Sequence, residues 1–387
     1  MAAKKWTLAD VDCDIYVDQI TLGPEQVGGH ARGYSVTKRT LHGGLRDGVD
    51  VIEVHNGRFR FVVVPTRGMN IWRAGLGDVQ LGWRSPVKGP VHPKFVSQWE
   101  GTGIGWLSGF DELVARCGLE SNGAPEFSPS GALQYPLHGR ISNTPAHKVE
   151  VTIDGDSGEI VVTGVVDEAR LFGNKLRLTT TLRTKIGASS VTITDVVSNP
   201  SGLPSELELL YHINIGMPLL ESGAQVVLPV KKLAPRDKAA VADVPQWDTY
   251  GPEGSIAEIV HFCEPLADPS GRTQVLLHNA AGNHGLSIHF NKQQLPYFSL
   301  WKNLQPAADG YVTGLEPAIN FPNPRSFEKQ KGRVAVLVPG ASRTFEVTLD
   351  ALADAAAVAA AKSAIAAIQG NVSPEILSSP NPDWSLV

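Results

Sequence analysis

Two stretches of the sequence place polar side chains inside apolar runs that favour β-strands. GYVTGLEPAIN, residues 310–320, carries Glu316 directly before a proline. A proline pushes the preceding residue to extended backbone and cannot donate to a sheet ladder, so we expect Glu316 at a strand end. LELLYHINIGMPLL, residues 207–220, carries His212 and Asn214 two residues apart, which puts both on one face of a strand. A carboxyl group and an imidazole inside predicted strands are candidates for acid–base chemistry.

Two further stretches repeat this feature. YPLHGRISN, residues 135–143, holds His138 and Arg140, again two apart, and VVVPTRGMNIW holds Arg67 at the end of an apolar run. A single histidine or arginine in a strand is more often structural than catalytic. Buried charge and buried imidazole are costly without partners, however, so we expect Arg67, His138, His212 and Glu316 to meet in one cleft.

These residue types are suited to moving protons. A glutamate in a partly apolar site has its pKa raised, and histidine titrates near neutrality. An acid and a base placed on either side of a substrate can transfer protons between heteroatoms with no metal or redox cofactor. Trp301, in PYFSLWKNL, precedes Glu316 and could cover the apolar face of a ring, and Trp106 with Phe110 could wall the cleft. Lys302 falls on the opposite face from Trp301 and is expected to be exposed to solvent.

Composition excludes several classes of function. The chain has 387 residues, 42% hydrophobic and 19% charged, which is enough to bury a large core. A net charge of −5 and a pI near 6.1 argue against a nucleic-acid partner. The three cysteines are far apart and form neither zinc spacing nor a disulfide framework, which favours a reducing compartment. With no signal peptide and no apolar stretch long enough for a membrane span, the expected location is cytoplasmic, without membrane contact.

Hairpin patterns dominate the chain. VDVIEV and FRFVVVP flank an Asn-Gly turn, and similar pairs of alternating runs follow at short intervals up to about residue 350. No βαβ alternation is seen, so the fold class is all-β, a large antiparallel sandwich. The alanine-rich stretch 351–369, followed by Gly370, predicts one C-terminal helix.

The expected organisation is one domain with two flanking segments. Residues 1–34 form an N-terminal extension packing on the sandwich, 35–350 the single β-sandwich domain, and 351–387 a C-terminal helix and tail. The polar segment 233–255 is long enough to be a linker. Strand patterning resumes unchanged after it, which favours an insertion loop over a split into two domains.

Three motifs carry a resemblance to a known superfamily. HGRISN, YHINIG and GLEPAIN occur in the order of three signature regions of the aldose 1-epimerase, or galactose mutarotase-like, superfamily. The resemblance extends from about residue 35 to 350. It looks closest to a bacterial branch that carries a segment similar to GWLSGFDELVARCGLESNGAP, residues 105–125, and that has no firm substrate assignment. It implies a β-supersandwich with a sugar cleft on a concave sheet face, and an isomerase that interconverts α and β anomers of a free sugar by ring opening.

The resemblance also implies roles for individual residues. Glu316 matches the catalytic base and His212 the general acid, although the family's His-x-x-x-Asn spacing is shortened here to Asn214. Leu-His-Gly at 137–139 matches a substrate-binding histidine, His138. Arg140 follows it where relatives carry glycine or an aromatic, and it suggests an added substrate contact. Arg67 matches an arginine that binds sugar hydroxyls, while the family's substrate-binding aspartate has no clear counterpart.

Three alternatives stay open from the sequence. A non-catalytic carbohydrate-binding protein would need no paired acid and base, since many sandwiches bind sugars without changing them. A metal-dependent sugar isomerase could use His138, His212 and Glu316, the composition of a two-histidine, one-carboxylate site. The chain could also be an accessory domain of a glycoside hydrolase, but its sequence shows no second domain that would support this interpretation. The preferred hypothesis needs a small sugar as partner, no metal and no cofactor, and exposed edge strands allow a homodimer.

Overall fold

Two large sheets pack face to face around one hydrophobic core, as the hairpin patterns predict. The structure, a computed structural model, describes residues 3–77, 79–255 and 258–386. Its first thirteen strands are β1 Lys4–Asp10, β2 Ile15–Tyr16, β3 Gln19–Leu22, β4 Ser35–Leu41, β5 Val49–His55, β6 Phe59–Val64, β7 Asn70–Leu76, β8 Val79–Leu81, β9 Val114–Leu119, β10 Glu126–Phe127, β11 Leu133–Tyr135, β12 Lys148–Ile153 and β13 Glu159–Ala169. The remaining strands are β14 Lys175–Lys185, β15 Ser190–Ser198, β16 Ser205–Gly216, β17 Gln225–Val227, β18 Val230–Pro235, β19 Ile259–Pro265, β20 Arg272–His278, β21 Gly285–Asn291, β22 Tyr297–Asn303, β23 Val312–Ala318, β24 Ala335–Leu337, β25 Ser342–Leu352 and β26 Glu375–Ile376.

The strands divide into two sheets and one small hairpin, β10–β11. The first sheet has ten strands in the order β17-β20-β21-β25-β15-β14-β13-β12-β1-β2. The second has fourteen, in the order β26-β18-β19-β22-β23-β16-β9-β7-β6-β5-β4-β3, with β8 and β24 pairing beside this path. Among the described strands only β18 and β26 pair in parallel. The predicted fold class, an antiparallel β-supersandwich, is confirmed.

Side-chain alternation explains which faces are buried. β13, β14 and β15 alternate buried and half-buried residues, so one face of the first sheet meets the core and the other meets solvent. β16 is buried along nearly its whole length. Both of its faces are covered by other parts of the protein. This explains why LELLYHINIG is a nearly continuous apolar run that only a few polar residues interrupt.

The helices are short except for the last. They are α1 Pro24–Val27, α2 Lys238–Val241, α3 Arg325–Gln330 and α4 Ala355–Gln369. The Asp354 side chain caps α4 by accepting from the backbone N–H of Ala357 at 2.8 Å, and Gly370 ends it with a φ of 53°. The predicted C-terminal helix is therefore present but starts later than residue 351, because β25 continues to Leu352. None of the helices in the described part of the chain is long and apolar enough to span a membrane.

Both flanking segments take part in the sheets. β1 pairs with β12 and β3 with β4, so the N-terminal extension supplies strands to both layers instead of only packing on them. β18 and β19, which bracket the segment 236–258, pair with each other in the second sheet. Residues 1, 2 and 387 of the predicted segments lie outside the described residues.

The expected exposure of Lys302 is wrong. Its ammonium group is buried on the back of the second sheet and donates to Asp243 Oδ2 at 2.7 Å and to the carbonyls of Gln246 and Thr249 at 3.1 Å each. A covering segment, 236–252, hides this face, and strand alternation alone does not reveal such a cover.

A buried ion pair links the two sheets through the core. Arg116 of β9 donates to both carboxylate oxygens of Asp195 of β15, at 2.5 and 3.0 Å. Tyr211 of β16 donates to the same carboxylate at 2.8 Å, and Thr180 of β14 also donates to it. Every charge in this cluster has a partner, which is the condition under which a buried ion pair is tolerated.

Removing one partner should therefore destabilise the sandwich strongly. We expect Asp195→Ala to lower the free energy of unfolding by about 3–5 kcal/mol, because it leaves the Arg116 charge buried and unpaired. Asp167→Ala, which breaks a half-exposed pair with Arg177, is the control and should cost about 1 kcal/mol or less. Urea unfolding measures both. Equal losses for the two variants would contradict the role given to the Arg116–Asp195 pair.

Candidate active site

A cavity of about 390 Å³ lies on the outer face of the second sheet. β16, β22 and β23 form its floor, and the loops before β9 and around residue 138 form its walls. Most of its lining is apolar, with a few polar groups converging on one spot, as in a small-molecule site. The lining residues are Ile104, Trp106, Leu107, Phe110, Ala124, Leu137, His138, His212, Arg236, Glu258, Val260, Trp301, Glu316 and Pro322.

His212 and Glu316 are cross-strand neighbours at the floor of this cavity. β16 and β23 are antiparallel, with Leu210 opposite Ala318 and Ile213 opposite Leu315. This register places His212 directly across from Glu316, and their side chains point to the cavity face. His212 Nε2 lies 3.1 Å from Glu316 Oε1.

Gly314 makes room for this contact. It precedes Glu316 by two residues, so its missing side chain would point to the same face. A Cβ atom at this position would lie 2.3 Å from Glu316 Oε1 and 2.9 Å from His212 Cε1. The glycine in the GLEPAIN stretch is therefore needed for space.

Asn214 fixes which nitrogen of His212 carries a proton. Its amide nitrogen donates to the carbonyls of Glu112 and His212, both at 3.0 Å, which turns its Oδ1 toward the imidazole. Oδ1 lies 2.5 Å from His212 Nδ1 and can only accept, so Nδ1 carries a hydrogen. In the neutral ring Nε2 is then an acceptor, and it faces Glu316.

Burial sets the protonation of the pair. It raises the pKa of Glu316 well above its ordinary value, and the negative charge of Glu258 adds to the effect. Burial, followed by repulsion from His138, lowers the pKa of His212 to about 3, against the opposing hydrogen bond from Asn214. Both shifts favour the neutral forms, so near neutral pH the pair holds one exchangeable proton, which resides on the Glu316 carboxyl group beside the acceptor Nε2 of His212.

His138 reaches the cavity from a tight turn. Its backbone has a left-handed φ of 58°, and a Cβ on the following Gly139 would lie 2.0 Å from the carbonyl oxygen of Ser121. The His138 Nδ1–H donates to the carbonyl of Asn122 at 2.9 Å. Its ring packs edge-on against Trp106 at 4.6 Å and lies 5.4 Å from the ring of His212. This leaves Nε2 of His138 as the free ring nitrogen.

A buried polar layer supports the His138 turn. The backbone N–H of Asn122 donates to Glu208 Oε2 at 3.0 Å, and the amide of Asn320 donates to Glu208 Oε1 at the same distance. Glu208 precedes His212 by four residues on β16, and Asn320 follows Glu316 by four, so both extend the same sheet face. Burial raises the pKa of Glu208 to about 8.

Aromatic rings enclose the His212–Glu316 pair. Phe110 and Trp301 contact the His212 ring edge-on, with centroid distances of 5.1 and 5.4 Å. Trp106 stacks against Phe110 at 4.5 Å. They keep solvent from the pair and offer flat apolar surface above it.

The sequence analysis missed two charged groups at the cavity. Arg236 and Glu258 both line it, and they form an ion pair with each other. Arg236 also bonds Asp237 through Nε and Nη2, at 2.8 and 2.7 Å. Arg236 lies within the long polar segment 233–255, and Glu258 follows shortly after it. An Arg-Asp pair directly after the apolar strand KKLAP is the only signal that could have indicated them.

Two predicted site residues do not line this cavity. Arg67 is fully buried and pairs with Glu112, Asn143 and the carbonyls of Val91 and Gly109. Arg140 points away, with Nη2 3.7 Å from both Glu120 and Glu168. Both guanidinium groups pair with residues of neighbouring segments and so hold those segments together. The structure brings together His138, His212, Trp301 and Glu316, with Asn214 directly behind His212.

Metal ligation gains no support from the side-chain positions. Within residues 3–77, 79–255 and 258–386, no group of three or more His, Cys, Asp or Glu side chains is arranged to hold a metal ion. The three cysteines are free, with Cys117 and Cys263 buried.

The space at residue 314 gives a sharp prediction. We expect Gly314→Ala to displace the Glu316 carboxyl from His212 and to lower any activity of the site by about 100-fold or more, the lower end of a general acid–base contribution. The fold should persist, because the backbone at Gly314 is not left-handed. Gly202→Ala, at a glycine with open space around it, is the matched control. Wild-type turnover in Gly314→Ala, measured beside a thermal melt, would refute this.

Comparison with known proteins places the chain in a family. The profile of a family described as a domain of unknown function (DUF4432) matches residues 46–351. The chain is 36% identical to a Klebsiella pneumoniae protein named as a candidate aldose 1-epimerase, with a TM-score of 0.94 over 98% of this chain and 99% of that one. No curated protein matches it.

More distant structures share the fold alone. A galactose mutarotase-like protein from Clostridium acetobutylicum is 16% identical, with a TM-score of 0.56 over 82% of this chain and 98% of that one. The galactose 1-epimerase of Lactobacillus acidophilus is 11% identical, with a TM-score of 0.53 over the same shares. The chain belongs to the DUF4432 family and, at the level of the superfamily, to the galactose mutarotase-like proteins.

Proposed function

We propose that the protein is an aldose 1-epimerase that interconverts the α and β anomers of a monosaccharide. One observation carries the proposal: a buried histidine and a buried glutamate lie 3.1 Å apart at the floor of an aromatic-walled cavity. A protein that only binds sugars has no use for such a pair. The name of the similar Klebsiella protein agrees with this activity.

The reaction needs one proton removed and one delivered. In the charged form of the pair, the Glu316 carboxylate takes the proton from the anomeric hydroxyl. The C1–O5 bond breaks, C1 becomes an aldehyde carbon, and the ring oxygen takes the proton from His212 Nε2. The pair then holds its proton on Glu316 instead of His212, so its total proton count is unchanged.

Ring closure reverses these transfers after rotation about C1–C2. Protonated Glu316 gives its proton to the aldehyde oxygen while O5 attacks C1, and neutral His212 accepts the proton that leaves O5. The pair returns to its starting form with the opposite anomer. Asn214 holds Nδ1–H throughout, so only Nε2 of His212 exchanges protons with the sugar.

The remaining lining suits a single sugar ring. Trp301 can cover a C–H face of a pyranose, and His138 Nε2 can accept a hydroxyl hydrogen. The Arg236–Glu258 pair also lines the cavity and offers a donor and an acceptor. We assign no substrate contact to Arg67 or Arg140, since their partners hold them away from this cavity.

Substitution of the pair tests the proposed roles. We expect Glu316→Gln to reduce turnover by about 100- to 10,000-fold while sugar binding persists, because the amide keeps the shape and lacks the base. His212→Asn should lose a similar amount, and the double variant little more, since the two groups act as a unit. His138→Ala should raise KM more than it lowers kcat.

The assay is the approach to equilibrium of freshly dissolved single anomers, followed by NMR and corrected for the spontaneous rate. Glu53→Gln removes an exposed, unpaired glutamate on β5 and is the matched control. Full activity of Glu316→Gln on a sugar that the wild type accelerates would reject the assignment. Binding without acceleration of any sugar would favour the non-catalytic alternative.

The dependence on pH follows from the proton count of the pair. A second proton is added only near the His212 pKa of about 3. The single proton is lost only as pH rises through the Glu316 pKa, which burial raises well above 4.5. We therefore expect kcat/KM to be level through the weakly acidic and neutral range and to fall on the alkaline side. An acid limb centred on the ordinary histidine pKa of about 6.5 would contradict the shared-proton description.

A further inference from the structure

A second cavity, of about 510 Å³, lies on the other side of the loop that walls the catalytic site. It is formed by the turn between β4 and β5, by β7 and by the segment after β8. We call it the basic pocket, because four of its lining residues are cations. These are Arg46, Arg73, Arg84 and Lys88.

The charge of the basic pocket is opposite to that of the chain. Its lining holds four cations and one carboxyl group, Asp111, in a protein whose net charge is −5. All four cations are exposed, and across residues 3–77, 79–255 and 258–386 none of them forms a hydrogen bond or an ion pair. Four like charges around one concavity repel each other, so the arrangement is unfavourable until an anion enters.

Trp72 contacts two of the residues that line the basic pocket. The guanidinium group of Arg73 stacks over its ring at 4.2 Å, and its indole N–H donates to Asp111 Oδ1 at 2.6 Å. A Cβ on Gly89 would lie 2.0 Å from Asp111 Oδ2, so the chain closes over that carboxyl group. Burial and the neighbouring Glu112 raise the pKa of Asp111 to about 7, which weakens the one negative charge in the pocket.

The basic pocket and the catalytic cavity share a wall. Trp83 lines the basic pocket and packs on Phe110 at 4.9 Å, and Phe110 in turn contacts His212. Ser85 donates to the carbonyl of Phe110 at 2.7 Å. The two sites are therefore separate cavities on either side of one aromatic wall.

We propose that the basic pocket binds the phosphate group of a small anionic metabolite. Arginine forks match the oxygens of phosphate and form charge-assisted hydrogen bonds with them. Three of the four cations are arginines, drawn from three separate segments of the chain. The pocket is a concavity of a size that suits a small molecule, whereas a nucleic-acid backbone needs an extended basic surface.

Calorimetric titration of the intact protein tests this site. The probes are inorganic phosphate and glycerol 3-phosphate, at constant ionic strength with chloride as the background anion. We expect the Arg46→Gln/Arg84→Gln double variant to bind at least about tenfold more weakly, since it removes two charge-assisted contacts. Both residues are exposed, so folding should persist, as a thermal melt will show.

Arg58→Gln is the matched control and should bind like the wild type, because Arg58 lies exposed on the β5–β6 turn and its side chain has no partner among the described residues. Tighter binding of glycerol 3-phosphate than of phosphate would identify an ester as the ligand, and the reverse order would identify the free anion. Absence of binding, or equal affinity in the double variant and the wild type, would overturn the proposal. Neither result depends on whether the catalytic cavity turns over a sugar.

Discussion

The antiparallel register between β16 and β23 is the constraint on which the candidate active site depends. It sets His212 across from Glu316, and Gly314 leaves the space in which the two side chains meet. A slip of one residue would turn one member of the pair into the sandwich core. The core resists such a slip, because the other face of β16 carries Tyr211, whose hydroxyl is fixed to Asp195 of the opposite sheet. Catalytic geometry and sheet packing are thus specified by the same strand.

Burial shifts the pKa values of His212 and Glu316, and it also makes the pair costly to the stability of the fold. Desolvation favours the neutral forms of both groups, so the one exchangeable proton of the pair resides on Glu316, beside Nε2 of His212. A raised carboxyl pKa in the folded state means that stability is lost as pH rises through that value. This contribution of Glu316 to the free energy of unfolding is fully present below the ordinary glutamate pKa and is lost above the raised pKa. Burying an acid and a base in an apolar cavity therefore lowers the stability of the fold at alkaline pH. Such a cost is common at functional sites.

Sequence patterns predicted the parts of this account that depend on local periodicity. Hairpin turns and strand alternation gave the antiparallel sandwich, and the alanine run gave the last helix. The polar residues inside apolar runs indicated His138, His212 and Glu316, which the structure brings to one cavity. Residues two apart share a strand face, and this also explains why Asn214 lies behind His212.

Other features depend on contacts between distant segments, which periodicity does not encode. Lys302 alternates as a solvent-facing residue and is buried because the segment 236–252 folds over it. Arg67 has the residue type of a sugar ligand, yet its partners come from three separate segments of the chain. Arg236 and Glu258 flank the same polar segment, and only its path back to β19 brings them to the cavity.

A crystal structure with a bound aldose tests the central claim most directly. The account predicts a single ring in the catalytic cavity, against Trp301, with O1 and O5 within about 2.6–3.2 Å of Glu316 and His212. A sugar bound with its anomeric carbon remote from both side chains would contradict the account.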